Sequence, residues 1–279
     1  MRRAEAALSL RHAVALGLLQ GPAELLPISS SAHTALLPWL AGWPYAQLDG
    51  ERRKAFEVAL HAGAGLALAL DMRGELRRAA AALDARRSCA LALALAPPAL
   101  AGFLLQGPIE RRLGGPRSIA AGLAGGALAI ALTETRARRD ARPPRVQRAC
   151  AQVGPGDGLA LGLAQACALV PGVSRNGATL AAARARGFAR RDAQRLSWLA
   201  ALPVILGASL LKGGRLIGDG GPRGIRPAAA LGAAAAFAST LASARVVRRG
   251  ARQERALLPC ALYRCLLAAL VLRRLRRTQ

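Results

Sequence analysis

Two matched polar stretches, each interrupting an apolar segment near a proline, constrain the fold of this chain more than any other feature. The first, residues 17–33, reads GLLQGPAELLPISSSAH, and the second, residues 162–179, reads GLAQACALVPGVSRNGAT. Both begin G-L-x-Q, continue through a short apolar run and reach a proline followed by serine. A segment that faces lipid has no use for such polar groups, whereas a buried site inside a membrane protein does. The repetition predicts an internal duplication in which both stretches contribute to one site.

Composition favours a membrane protein over a soluble one. Hydrophobic residues make up 53% of the chain but aromatic residues only 3%, and long Ala/Leu/Gly runs alternate with clusters of arginine. Such runs are typical of membrane helices. A net charge of +25 would also suit a nucleic-acid-binding protein. However, the arginines lie between apolar segments and no stacking aromatic residues are interleaved with them, so we predict no nucleic-acid partner.

The pattern predicts an all-α integral membrane protein in the form of an inverted repeat. A proline and several polar groups at mid-segment suit re-entrant helical hairpins, which are tolerated where protein or a water-filled cavity lines them. About six transmembrane helices and two such hairpins are expected in a single membrane domain, residues 1–279, with pseudo-repeats at about 1–135 and 150–272. The predicted spans are 55–70, 88–106, 118–133, 196–211, 228–244 and 256–272, and the hairpins lie near 13–38 and 158–183.

The distribution of positive charge predicts the orientation in the membrane. Four loops hold 21 arginines, and the remaining ends and loops hold 17 lysines and arginines. The positive-inside rule therefore places the four loops in the cytoplasm and both termini outside. The basic run at 273–277 opposes this assignment. The four loops are 73–87, 136–148, 184–195 and 245–255.

Several ionisable residues lie inside apolar segments, where they are costly and commonly functional. We expect functional roles for Glu24, His33 and Arg175. For Glu57 and His61, which lie four residues apart, a functional role and a purely structural pairing are equally expected.

The residue types in the two stretches suit phosphate chemistry. A guanidinium at Arg175 beside Ser174 and a glycine turn can grip a phosphate with parallel hydrogen bonds. A serine cluster beside His33 and a carboxylate suits nucleophilic displacement at phosphorus, with the imidazole as base or acid. Glu24 could orient that histidine or hold a divalent cation. Spacing alone does not choose between these roles. Arg264, in the last apolar segment, is expected to be structural.

The segments LQGPAELLPISSSAH and LVPGVSRNGAT resemble the two signature motifs of the undecaprenyl pyrophosphate phosphatases of the bacitracin-resistance type. The similarity continues through FEVALHAG, LSWLAALPVILGA and LPCALYR, and so covers nearly the whole chain in order. The resemblance implies an integral membrane enzyme that removes the terminal phosphate from the C55 isoprenyl diphosphate carrier. That reaction regenerates the monophosphate used in peptidoglycan synthesis and is associated with bacitracin resistance.

The resemblance also implies roles for individual residues. The expected catalytic residues are Ser30 as nucleophile, His33 as acid and base, Arg175 as diphosphate clamp and Glu24 as partner of a metal or of the histidine. Direct attack by water is the variant mechanism. The expected substrate-binding residues are Gln20, Ser29, Ser31, Glu57, Gln165, Ser174, Asn176, Gly177 and Thr179.

Three positions depart from the common form of the family motifs. Ala32 replaces a frequent glycine, Asn176 replaces a frequent serine, and Gln20 leaves Glu24 as the only carboxylate of its pair. No cofactor is certain. A divalent cation, Mg²⁺ or Ca²⁺, would take Glu24 as a weak protein ligand and most of its other ligands from substrate oxygens.

The resemblance places the protein in the bacterial inner membrane as a multi-pass protein with its active site facing the periplasm. Its expected partners are the lipid substrate and the bilayer, and the oligomeric state stays open between a monomer and a homodimer. Two alternatives remain. A transporter or lipid flippase without hydrolysis would also use broken helices that meet at mid-membrane, and an arginine-rich scaffold would bind anionic lipid.

Overall fold

The computed structural model describes residues 8–140, 147–218, 224–252 and 257–277, and within these ranges the protein is helical without a β-strand. One isolated parallel bridge joins Arg148 and Phe188. The expected all-α class is therefore confirmed. The helices are α1 (Leu10–Leu25), α2 (Ser30–Ala41), α3 (Gly50–Asp71), α4 (Arg73–Ala81), α5 (Ala85–Leu113), α6 (Pro116–Asp140), α7 (Pro155–Cys167), α8 (Arg175–Ala185), α9 (Arg190–Gly218), α10 (Arg226–Arg252) and α11 (Leu258–Arg277).

Four of these helices are long and apolar enough to cross a membrane: α5, α6, α9 and α10. A fifth candidate is the pair α3–α4, which is bent by 69° at Met72. The sixth predicted span corresponds to α11, which is 20 residues long but carries Arg264 and a basic last turn. The structure thus supports four or five spans within the described ranges, and the count of six stays a prediction.

Each polar stretch forms a broken helix. The first stretch is α1 and α2 separated at 26–29, and the second is α7 and α8 separated at 168–174. The two breaks end in the same way, because Ser29 (φ 76°) and Ser174 (φ 64°) are the only non-glycine residues with positive φ in the described part of the chain. Each serine caps the helix that follows, its Oγ accepting from the amide of Ala32 (3.4 Å) or Gly177 (3.1 Å). Re-entry of these breaks into the bilayer stays a prediction.

The first helix of each predicted repeat packs against the penultimate helix of the other, α1 on α10 and α7 on α5, and the last helices α6 and α11 pack together. Small residues allow this close approach. A Cβ at Gly17 would lie 2.4 Å from the carbonyl oxygen of Gly232, and a Cβ at Gly158 only 2.0 Å from that of Ala90. Such reciprocal packing is what a duplication would produce, although the repeat boundaries stay a prediction.

Candidate active site

The two breaks meet at one cavity of about 240 Å³, whose other walls are formed mainly by α3 and α9, with Pro98 of α5. Ser30 and Arg175 are the first residues of α2 and α8, so the N-termini of two helices point their unsatisfied amides and partial positive charge towards this cavity. Helix N-termini of this kind bind anions. Nine of the predicted site residues line the cavity: Glu24, Ser29, Ser30, Ser31, Glu57, Gln165, Ser174, Arg175 and Asn176.

Glu24, which is buried, and Arg175, which is partly buried, form an ion pair in the cavity wall, with the Arg175 guanidinium donating to Oε1 of the carboxylate. The other carboxylate oxygen, Oε2, accepts from Ser30 Oγ at 2.7 Å and from Gln20 Nε2 at 3.1 Å. The Nε2 of His61 lies 3.7 Å from the same oxygen. These partners offset the cost of burying the two charges. The structure therefore brings the two polar stretches to one site, as the sequence predicts, and joins them through an ion pair that the sequence analysis did not specify.

Two features of this cluster suit an anionic ligand. The Arg175 Nη1 atom is buried and has no hydrogen-bond partner among the residues that the structure describes. It therefore retains donors for a group that enters the cavity. The Ser30 hydroxyl donates to a carboxylate, which is the arrangement in which an adjacent base activates a serine nucleophile. Arg175 and Ser30 thus present a clamp and a nucleophile side by side.

His33 is not among the described residues that line the cavity. Its Nδ1 lies 2.7 Å from the carbonyl oxygen of Ser29, and its Nε2 lies 2.7 Å from the hydroxyl of Tyr263 on α11. Since a carbonyl can only accept, we assign the proton to Nδ1, and Nε2 accepts from the tyrosine hydroxyl. The histidine beside Glu24 is instead His61, so the structure does not contain the expected pairing of Glu24 with His33.

Two predicted substrate-binding residues, Asn176 and Thr179, are held by the protein itself. Asn176 Nδ2 donates to the carbonyl of Leu25 at 2.5 Å, and its Oδ1 accepts from Gln194 and Ser197. Thr179 is fully buried, and its hydroxyl bonds to the carbonyl of Arg175 and to the Ser197 hydroxyl. These contacts fix the second break against the end of α1 and against α9.

Gly177, Gln20 and Gln165 differ in their relation to the cavity. Gly177 packs against the guanidinium of Arg264, and Gln20 donates a hydrogen bond to the Glu24 carboxylate. Neither residue is among those that line the cavity in the described part of the chain. Gln165 does line it and donates to the carbonyl of Ala94 at 2.9 Å, whereas its buried Oε1 has no partner in the described ranges. Gln20 Oε1 also has no partner in the described ranges, but of these three residues only Gln165 lines the cavity.

Arg264 has the structural role that the sequence predicts, with more contacts than the sequence could indicate. The side chain is fully buried, and its guanidinium donates to five backbone carbonyls. Its close approach requires glycine at position 126, where a Cβ would lie 1.9 Å from Nη2. Because the acceptors belong to both breaks and to α6, this one residue ties together the three elements. The acceptors are the carbonyls of Pro27 (3.0 Å), Gly122 (3.3 Å), Leu123 (3.2 Å), Gly172 (2.9 Å) and Val173 (3.1 Å).

Sequence reasoning missed two cationic residues that line the cavity, Lys54 and Lys212. They are the only two lysines among 40 basic residues, which sets them apart in the sequence. We interpreted this scarcity of lysine as an effect of genomic base composition, so it did not indicate a site. Lys54 and Lys212 lie 158 positions apart, and only the packing of α3 against α9 brings them together.

The residues present fit a protein-held metal ion poorly. Glu24 already accepts from Arg175 and Ser30, and Glu57 is the other carboxylate on the wall. In the described ranges, no three His, Cys, Asp or Glu side chains are grouped so that they could hold a metal ion. The described side chains alone therefore do not supply the ligand set of a metal site.

Comparison with known proteins matches residues 13–270 to the family described as bacitracin resistance protein BacA. A relative from Geobacter sulfurreducens named undecaprenyl-diphosphatase is 37% identical over 278 residues, which cover 95% of this chain and 98% of the relative. Relatives of the same name from Geobacter metallireducens and Alcanivorax borkumensis are 39% and 41% identical over 225 and 213 residues. These two alignments cover 76% and 72% of this chain and 79% and 75% of the relatives.

Proposed function

Because the chain belongs to the bacitracin resistance protein BacA family, we propose that it is an undecaprenyl-diphosphatase of the bacterial cell membrane. It would hydrolyse the C55 isoprenyl diphosphate to the monophosphate and inorganic phosphate, and so recycle the lipid carrier for peptidoglycan synthesis. The observation that carries this proposal is the Glu24–Arg175 ion pair, with Ser30 bonded to it, where two helix N-termini meet in one cavity.

The geometry supports the following sequence of steps. The terminal phosphate binds the Arg175 guanidinium and the amides at the start of α8, replacing part of the contact between Arg175 and Glu24. The Ser30 oxygen attacks phosphorus while its proton passes to Glu24, and the bond to the bridging oxygen breaks. The lipid monophosphate leaves. Water then hydrolyses the phosphoserine and releases inorganic phosphate. In the variant mechanism, Glu24 takes the proton from an attacking water instead.

The acid–base role of His33 remains our prediction, although the resting geometry favours a positioning role. Its ring is hydrogen-bonded between Ser29 and Tyr263, whereas His61 lies on the cavity wall beside Glu24. The two imidazoles are therefore alternative proton carriers for the leaving group. The separate replacement of each histidine decides between them.

We place the protein in the inner membrane with the cavity facing the periplasm, as the arginine distribution favours. A divalent cation, if required, would depend on Glu24 and on substrate oxygens, and chelation would then lower the rate of phosphate release.

The direct test is phosphate release from an isoprenyl diphosphate by the purified protein in detergent. We expect turnover by the wild type and a loss of at least about 100-fold in Glu24→Gln, which removes the base for the nucleophile, and in Arg175→Met, which removes the clamp on the phosphate. The exposed Arg249→Met on α10 serves as a control for the loss of one positive charge. Binding without hydrolysis would favour the transporter alternative, and full activity in Arg175→Met would contradict the clamp.

A further inference from the structure

Lys54 and Lys212 occupy a part of the cavity wall distant from the reacting serine. Along α3, the wall is formed by Lys54, Glu57 and His61, which share one helix face. The seven positions from Lys54 to His61 correspond to about 10 Å of helix, and His61 contacts the carboxylate of Glu24. The backbone of Lys54 therefore lies about two helical turns along α3 from the residue that contacts Glu24. Lys212 lines the same part of the cavity from α9, which packs against α3.

Lys54 lies at a more exposed part of the cavity wall than Glu24 does. The Lys54 side chain is 32% exposed, whereas the Glu24 side chain is 5% exposed. The wall between them contains the Glu57 carboxylate and the Ser209 hydroxyl. A ligand with two charged groups can thus place one at the buried ion pair and the other near the lysines.

The two ammonium groups at this part of the wall can bind an anion between them. Lys54 forms an ion pair with Glu110 on α5. Lys212 forms no ion pair in the part of the chain that the structure describes, and it interacts electrostatically with Lys54 as well as with Glu57 and Glu110. Two neighbouring ammonium groups repel each other, and an anion between them removes that repulsion. An ammonium is also a compact, adaptable donor for phosphate oxygens.

The direction of the reaction identifies which anion this is. In phosphoryl transfer the attacking and leaving oxygens lie roughly in line with phosphorus between them. Since Ser30 is bonded to Glu24, about two helical turns from Lys54, an in-line attack directs the leaving oxygen away from Ser30 and along the cavity towards the lysines. We propose that Lys54 and Lys212 form a second anion site that binds the lipid-linked phosphate of the diphosphate and stabilises the charge that develops on it. This inference rests on the proposed function, because it assumes that the terminal phosphate binds Arg175.

Binding of two small probes tests the site without turnover. Calorimetric titration compares methylenediphosphonate, a diphosphate that cannot be hydrolysed, with inorganic phosphate on wild type, Lys212→Met, Lys212→Arg and the control Arg249→Met. We expect Lys212→Met to bind the diphosphonate about tenfold more weakly, the loss of one charge-assisted hydrogen bond, with phosphate binding unchanged. Lys212→Arg should retain most of the affinity, and Arg249→Met all of it. Equal weakening of both probes, no weakening, or no diphosphonate binding by the wild type would overturn the site.

Turnover separates this inference from the function on which it rests. We expect Lys212→Met and Lys54→Met to lower the rate of phosphate release from an isoprenyl diphosphate by about tenfold, with unfolding temperatures close to that of the wild type. Loss of the diphosphonate preference in Lys212→Met, together with a wild type that releases no phosphate, would support the anion site and contradict the diphosphatase. An active wild type with full turnover in both lysine variants would contradict the site alone.

Discussion

The carboxylate of Glu24 and the guanidinium of Arg175 form a buried ion pair although 151 positions separate them in the chain. Removing one partner leaves the other charge buried and unpaired, which typically costs about 3–5 kcal/mol. We therefore expect Arg175→Met to lower both the unfolding temperature and phosphate release. The double variant Glu24→Gln/Arg175→Met should regain much of the stability but none of the activity. Thermal unfolding in detergent measures the first quantity, and equal stability of the single and double variants would contradict the buried charge pair.

Replacing His33 and replacing His61 should affect the turnover number differently. If His33 carries the proton, His33→Ala should lower kcat by at least about 100-fold. Tyr263→Phe should then shift the pH–rate profile, because Nε2 of His33 loses the tyrosine hydroxyl. His61→Ala is the matched comparison, since His61 contacts Glu24. A large loss in His61→Ala, with His33→Ala lowering only stability, would show that His61 is the proton carrier.

Arg264→Met should unfold or loosen the site rather than change its chemistry. The substitution leaves five backbone carbonyls, in both breaks and α6, without their donor, and unsatisfied buried acceptors cost about 1–3 kcal/mol each. We expect a fall in unfolding temperature and in the yield of folded protein, accompanied by loss of activity. Arg273→Met, an exposed arginine on the same helix, is the control and should leave both unchanged. A stable but inactive Arg264→Met would indicate a direct role in the reaction.

The packing of α7 on α5 predicts a strong dependence on one glycine. A methyl group at Gly158 would lie 2.0 Å from the carbonyl oxygen of Ala90, so Gly158→Ala must separate the helices, at a cost of about 1–3 kcal/mol. Gly207 on α9 offers the matched control, because no described atom lies within 4 Å of a Cβ there. The unfolding temperature should fall in Gly158→Ala and not in Gly207→Ala. The same temperature for both variants would contradict the close contact.

Asp157 lies at the start of α7, outside the apolar spans. Its ion pairs should make the stability of the folded protein depend on acid pH. Burial raises the pKa of Asp157, but hydrogen bonds from Arg148 and Arg186 outweigh burial and lower it to about 2, below its ordinary 3.8. The ionised carboxylate therefore adds about 2 kcal/mol to the free energy of unfolding. This contribution is complete above pH 3.8 and is lost as the pH falls through 2. Asp157→Asn should unfold at a lower temperature than the wild type at pH 6, with a smaller difference at pH 2.5. A difference that is independent of pH would contradict the assignment.

Local patterns were sufficient to predict that each polar stretch breaks near its proline, although the capping roles of the two serines emerged only from the structure. A proline in a helical segment indicates that the helix ends there, and this signal is contained within about ten residues in each stretch. The class of site was also predictable, since charges in apolar segments need partners.

Contacts between distant segments could not be predicted in the same way. The order of packing decides that His61, rather than His33, lies beside Glu24, and that Lys54 meets Lys212. Helical periodicity places these residues on a face but does not say which helix covers that face. The bend at Met72 could not be predicted either, because that position holds neither a proline nor a glycine.

The position of Arg264 has a consequence for biosynthesis. Its carbonyl acceptors begin at Pro27, 237 positions earlier, and all of them precede it in the chain. A polypeptide still emerging from the ribosome therefore lacks the donor that holds both breaks, however well its earlier helices have inserted. The catalytic centre becomes complete only after the C-terminal helix has been made, so a prematurely terminated product would be inert towards its lipid substrate.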